Sequence, residues 1–271
     1  MVLGAEQLVV DLLAVQQKLG DQMPLEMLHL ALGYIGPRKP QKLSFDTAHR
    51  CRQCCEGSWW HRKVEADKGH AFDSVRQRHY KIDDDYVVSE QASSCHTVKI
   101  ADSKIRWGIL ACHKDRLYLG IDYDAADRSV KEVDLKSGKS RSTLKPEFTP
   151  TVFDVTERSD KGLRFSYLDP SQRNCVFVAD EGCKERRISL PCACGSVRFV
   201  TPDVICAGVS RHYELRLALI DISDENAPKY LDDFDLGVPG MYLKGMEVSP
   251  CGHVLQVRTR QRTLEIGVEY A

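Results

Sequence analysis

Four stretches of this chain share one pattern of turn, strand, turn, strand: residues 113–135, 159–180, 201–222 and 249–270. Their starts advance by 46, 42 and 48 residues. Repeats of roughly 40–50 residues built from short strands are the period of β-propeller blades. Within them Leu117, Leu119, Ile121 and Tyr123 alternate with other residues, as do Leu163, Phe165 and Tyr167, which is the period of a half-buried strand. Residues 175–178 and 215–222 are apolar on both faces, as central strands of a blade are. Turn glycines stand at Gly138, Gly182 and Gly252, and two further strand-like runs separate successive units.

The count is therefore about four strands per repeat, one blade each. The phase places each unit as the second and third strands of a blade, so the last blade ends near Tyr270 without a fourth strand. A spare strand lies upstream at 95–100 (CHTVKI), and its addition would remove the open edges that a sheet must manage. The expected fold is mainly β: a small propeller of about four blades, complete or incomplete, over residues 91–271. A β-sandwich with irregular strand spacing is the competing architecture.

Ahead of the repeats the pattern is helical. Leu8, Leu12, Val15 and Leu19 fall on one helical face, and Gly20 stops it. Pro24 suits a first helical turn, with Leu28, Ala31, Leu32 and Ile35 repeating behind it until Gly36-Pro37. A polar loop over 38–42 leads to a third expected helix over 45–60, giving a helical trio within residues 1–64. Residues 65–90 are read as a linker or irregular segment, most plainly over 65–81, which are polar without a clear period.

The segment 23–35 (MPLEMLHLALGYI) resembles the opening of an F-box, the helical module that docks on the Skp-type adaptor of cullin–RING ubiquitin ligases. Pro24, Glu26, Leu28, Leu32, Tyr34 and Ile35 match its first half, and Arg50-Cys51-Arg52 with Trp59-Trp60 its second. The resemblance covers residues 22–64, with Met23 in place of the usual Leu and a more basic loop. It implies that Pro24, Leu25, Leu28, Leu32, Ile35 and Trp60 bind the adaptor, while WD-like propeller repeats hold an unknown protein substrate. A plain helical cap on the β domain explains the same apolar face.

Composition narrows the partners. The formal net charge is −1, so no global field points to nucleic acid or membrane. The clusters 184–187 (KERR) and 258–262 (RTRQR) read as solvated strand faces. No apolar stretch reaches the roughly 18–20 residues of a membrane span. The N-terminus carries Glu6 and Asp11 and has no positive leading region, so it makes a poor signal peptide. Eleven cysteines without a secretory signal imply reduced thiols and a cytoplasmic or nuclear location.

His49, Cys51, Cys54, Cys55 and His61 include a Cys-x-x-Cys spacing, but a tetrahedral zinc site needs a second ligand pair that only His61 is placed to supply. Cys192 and Cys194 share a strand face, where they could take soft metal or respond to oxidation. Hydrolase and nucleotide signatures are absent, and the runs Asp83-Asp84-Asp85 and Asp232-Asp233 read as solvated loops. The resulting expectation is a non-enzymatic substrate receptor with no cofactor or metal. Its alternatives are a propeller scaffold with a helical cap and, behind it, a propeller-fold hydrolase.

Overall fold

The computed structural model describes residues 39–46, 70–73, 78–83, 86–91, 94–99, 107–113, 116–121, 129–137, 139–146, 150, 152–158, 162–224, 226–239, 243–249 and 252–270, over 70–99 and at 107–110, 112 and 121 as backbone alone. Residues 40–269 form one compact unit. Its strands follow in chain order. The first is β1 (Pro40–Ser44), and then come β2 (His70–Asp73), β3 (Arg78–Asp83), β4 (Tyr86–Gln91) and β5 (Ser94–Lys99). Next are β6 (Trp107–His113), β7 (Arg116–Ile121), β8 (Val130–Asp134) and β9 (Ser140–Leu144), then β10 (Val152–Arg158), β11 (Gly162–Leu168), β12 (Cys175–Asp180) and β13 (Arg186–Ser189). The last are β14 (Ala193–Thr201), β15 (Val204–Arg211), β16 (Glu214–Asp221) and β17 (Lys229–Pro239), with β18 (Leu243–Val248), β19 (Val254–Thr259) and β20 (Thr263–Tyr270).

Among the described residues these strands make five four-stranded sheets: β2–β5, β6–β9, β10–β13, β14–β17, and a last sheet in the order β1-β20-β19-β18. Consecutive strands pair antiparallel, as in Phe165↔Ala179 and Ala207↔Ala218. The first strand of each sheet contacts the first strand of the next, from β2 through β6, β10 and β14 to β18. That is the up-and-down arrangement of propeller blades.

The repeat units keep the expected phase. They hold β7 and β8, β11 and β12, β15 and β16, and β19 and β20, each the second and third strands of a sheet. Two other expectations are corrected. Among the described residues there are five sheets rather than about four, because residues 70–99 supply a sheet of their own and 65–90 contain β2, β3 and all but the last residue of β4. The last sheet is completed by β1, not by the run at 95–100, which is β5, the outer strand of the first sheet. β1 lies where the sequence reads as a polar loop and helix start. Pro40 suits it because a first strand position needs no ladder N–H. The helical trio, and with it Pro24, Leu25, Leu28, Leu32, Ile35 and Trp60, falls outside the described residues, as do His49, Cys51, Cys54, Cys55 and His61.

Among the described residues two cores lie between sheets. Tyr118, Phe153, Phe165, Tyr167 and Phe177 pack one of them between the second and third sheets. There Tyr167 stacks on Phe177 at 5.4 Å and Tyr118 meets Phe165 edge-on at 5.8 Å. Val176, Val178, Ile188, Val197, Ile205 and Ile220 pack the other, between the third and fourth. β12 is buried throughout, whereas the outer strand β17 is mostly exposed.

Third strands end on aspartate at Asp134, Asp180 and Asp221. Asp134 accepts the Lys136 and Ser137 N–H groups at 2.8 and 3.2 Å, which hold its carboxyl below the usual range. Asp221 accepts the Ser223 N–H at 3.0 Å. The Asp134 and Asp221 carboxylates thus close the turns that their strands run into, whereas at Asp180 the main-chain carbonyl accepts the Cys183 N–H at 2.9 Å and the carboxylate is left for Arg164.

Candidate functional site

β13 ends at Ser189, and only Leu190, Pro191 and Cys192 connect it to β14. So short a connector leaves part of the flank of the fourth sheet uncovered. A pocket of 480 Å³ lies there, with Ser189 and the connector on one side. On the other stand Val209 and Arg211 of β15, Arg216 and Ala218 of β16, and Tyr230 and Asp233 of β17. Leu190, Val209 and Ala218 are buried and make its apolar part. A mainly apolar concavity with a few fixed polar groups is the usual form of a binding site.

The polar groups divide into held and loosely held. Arg216 Nε donates to Asp233 Oδ1 at 2.8 Å and its Nη1 to Asp235 Oδ2 at 3.1 Å. Its Nη2 donates to the Asp233 carbonyl at 3.0 Å. The Arg211 guanidinium reaches Asp233 only at 3.9 Å and makes no hydrogen bond among the described residues. The Tyr230 hydroxyl donates to the Ser189 carbonyl at 3.3 Å, tying the outer strands of the two sheets together. Its ring is 43% exposed. Burial pushes its phenol upward, helped by Cys192 and Asp233, so at neutral pH it is a hydrogen-bond donor.

Strand alternation explains the neighbouring carboxylates. Asp232 accepts the Leu43 N–H of β1 at 2.7 Å, while Asp233 turns to Arg216 and the pocket. The Asp232-Asp233 run is therefore a strand serving two neighbours rather than a solvated loop. Asp83 ends β3, and Asp84 and Asp85 lie outside the described residues. Cys192 lines the pocket; Cys194 is buried and its thiol donates to the Ser196 carbonyl at 3.2 Å. Burial pushes the Cys194 thiol up to about 12 and moves Cys206 and Cys192 upward as well. All three are protonated thiols at neutral pH, the less nucleophilic form. Among the described residues no three His, Cys, Asp or Glu side chains converge to hold a metal ion.

Sequence reasoning missed Tyr230, Arg211 and Arg216, which are spread over three strands and unite only when β15, β16 and β17 pair. The signal available in advance was the brevity of the connector after Ser189.

No protein-family model matches the chain, and no curated protein does. Solved structures do. A gluconolactonase from Xanthomonas campestris superposes with a TM-score of 0.54 at 11% identity, over 74% of this chain and 71% of that one. A Bacteroides thetaiotaomicron protein of unknown function gives 0.52 at 11% identity, over 74% and 58%. The Swd1 β-propeller domain of Myceliophteria thermophila gives 0.48 at 13% identity, over 71% and 62%. The gluconolactonase and the Swd1 domain are β-propeller proteins, and at 11% identity the gluconolactonase shows the fold alone. The expectation that the chain is not an enzyme is corrected here. A gluconolactonase is an enzyme on this fold, so the propeller does not argue against catalysis.

Proposed function

We propose that the protein is a propeller interaction module that holds a short segment of a partner protein in the pocket between the third and fourth sheets. The observation that carries this reading is the pocket itself. Its apolar floor of Leu190, Val209 and Ala218 lies beside the exposed ring of Tyr230 and the loosely held guanidinium of Arg211. Aromatic and arginine side chains around a desolvated apolar cleft are the usual composition of a binding hot spot.

The test is selection of short random peptides on the full chain by display. Selected peptides are then titrated against Ser189→Tyr, which fills the mouth, and Tyr230→Ala, which removes a wall. Each variant is expected to weaken binding by about tenfold or more, or about 1.4 kcal/mol. If no peptide is selected, or if both variants bind as the parent does, the reading fails.

A second reading is supported by the resemblance over residues 22–64. In it Pro24, Leu25, Leu28, Leu32, Ile35 and Trp60 dock a Skp-type adaptor in the cytoplasm or nucleus. The module then brings a bound substrate close to a ubiquitin-charged enzyme and raises its effective concentration. β1 falls between the two halves of that resemblance, so in this reading the docking module and the last sheet share one stretch of chain. Pull-down with purified adaptor tests it, and retention of the adaptor by Pro24→Ala with Leu28→Asp would sink it.

A further inference from the structure

The turn joining β15 to β16 holds two L residues in the left-handed region, His212 at φ 48° and Tyr213 at φ 69°. Arg211 pairs with Glu214 across it, so the loop is two residues long. Such a hairpin turn needs positive φ at both positions, and Asn-Gly is the sequence that meets the need at least cost. Left-handed backbone costs an ordinary L residue roughly 1–2 kcal/mol. Here His and Tyr occupy the place, and the Tyr213 side chain stands 78% exposed. Strained backbone of this kind accumulates at functional sites.

The surroundings are cationic. In an up-and-down sheet all turns between second and third strands lie at one end of the blades. The next turns on either side carry Arg173, from the third sheet, and Arg260 and Arg262, from the last, all exposed. The Cys194 N–H donates to the Arg173 carbonyl at 2.6 Å, and Ala193 pairs with Ser210. Arg173 and Arg211 therefore flank the start of β14, beside the connector that forms the pocket wall. The carboxylates of this end are already engaged. Asp233 and Asp235 are hydrogen-bonded to Arg216, with Glu214 at 4.0 Å from the same guanidinium. Asp169, 2% exposed, accepts the Ser171 N–H at 2.8 Å.

We infer that the Arg211-His212-Tyr213 turn, with Arg173, recognises the acidic part of the bound segment, so that the partner is a carboxylate-rich peptide whose apolar side chain enters the pocket. This inference rests on the reading of the pocket given above. The apolar floor favours a peptide over a single-stranded nucleic acid, because it lies beyond the cationic rim and takes an aliphatic or aromatic anchor.

The test uses the full chain, the displayed random peptides and two further variants: His212→Asn with Tyr213→Gly, and Arg173→Ser with Arg211→Ser. Selected peptides should carry Asp or Glu beside an apolar residue and bind less tightly as salt rises. The Asn-Gly variant should melt higher, by about 4 °C or more, and yet bind the selected peptide about tenfold less tightly. The arginine variant should weaken binding similarly at low salt while keeping the apolar preference. If it does so, the inference holds even where the Asn-Gly variant fails to fold. Peptides selected without acidic bias, or unchanged binding by the arginine variant, would overturn the inference. The pocket reading survives that result if Ser189→Tyr still abolishes binding. Tighter binding of poly(U) than of any selected peptide would overturn it in favour of nucleic acid, and failure to select any peptide would remove the pocket reading itself.

Discussion

Arg164 has no solvent exposure, and its guanidinium joins the third sheet to the fourth. Nε and Nη2 donate to the Asp180 carboxylate at 2.5 and 3.0 Å. Nη1 donates to Asp203 at 2.8 Å and to the Pro202 carbonyl at 3.0 Å, both in the turn after β14. A buried charge of this kind is tolerated only while its partners stay ionised, and removing one partner costs about 3–5 kcal/mol. Burial alone would raise the Asp180 carboxyl, but the Arg164 hydrogen bonds and charge overturn that and hold it below its ordinary value. Its folded pKa is therefore below that of the unfolded chain. The stabilisation is present above the unfolded value of about 4 and is lost as pH falls through the lower folded one. Asp154 has the opposite sign: burial raises it, against the Arg198 charge and the N–H of Phe199, which donates at 2.7 Å. Its ionised form weighs against folding at neutral pH, and that penalty fades as pH falls. Asp180→Asn should cost about 3 kcal/mol by urea unfolding near neutral pH and much less near pH 3. Asp154→Asn should be neutral or stabilising near neutral pH. An equal cost for Asp180→Asn at both pH values would refute this account.

Among the elements, β1 pairs with β20 and also fastens onto β17 of the fourth sheet. Leu43 is fully buried, its N–H donates to Asp232 of β17 at 2.7 Å, and the Phe45 ring meets Phe234 edge-on at 5.1 Å. Leu43→Ala should destabilise by about 2–5 kcal/mol in urea unfolding; a loss no larger than that of an exposed Lys42→Ala control would show that β1 adds nothing. This strand also marks how far the sequence can be read. The second and third strands of four sheets were legible because runs such as 117–121 and 215–221 are apolar with period two or on both faces. The runs between the units read as strands too, but β1, β2 and β3 did not. PQKLS buries only Pro40 and Leu43, and HAFD and RHYKID carry too few apolar residues for a period to emerge. Their place is set by pairing with a neighbour, which no local pattern encodes. Asp134, Asp180 and Asp221 stand at or beside the last residue of three units, a recurrence the strand pattern alone does not single out. The pocket was not legible, because Tyr230 and Arg216 belong to different strands and meet only through the β16–β17 ladder.

At the scale of the whole molecule, β1 is where the start of the compact unit meets its end, pairing with β20 in the last sheet. Two truncations separate its role from that of the residues before it. Deletion of 1–38 keeps β1 and every strand of the unit 40–269 and supplies the reference melting temperature. Deletion of 1–46 removes β1, uncovers the edge of β20 and leaves Asp232 and Phe234 without the contacts that Leu43 and Phe45 supplied. The lost burial of Leu43 alone implies a melting temperature lower by about 10 °C, at roughly 2–4 °C per kcal/mol for a domain of this size. An open edge also offers unpaired N–H and C=O groups to another chain, so this form should self-associate on size exclusion. Adding a synthetic peptide of residues 39–46 should restore the monomer, since it returns the same strand to the same edge. A monomer of unchanged melting temperature after deletion of 1–46 would show that the last sheet stands on three strands and that β1 does not fasten it.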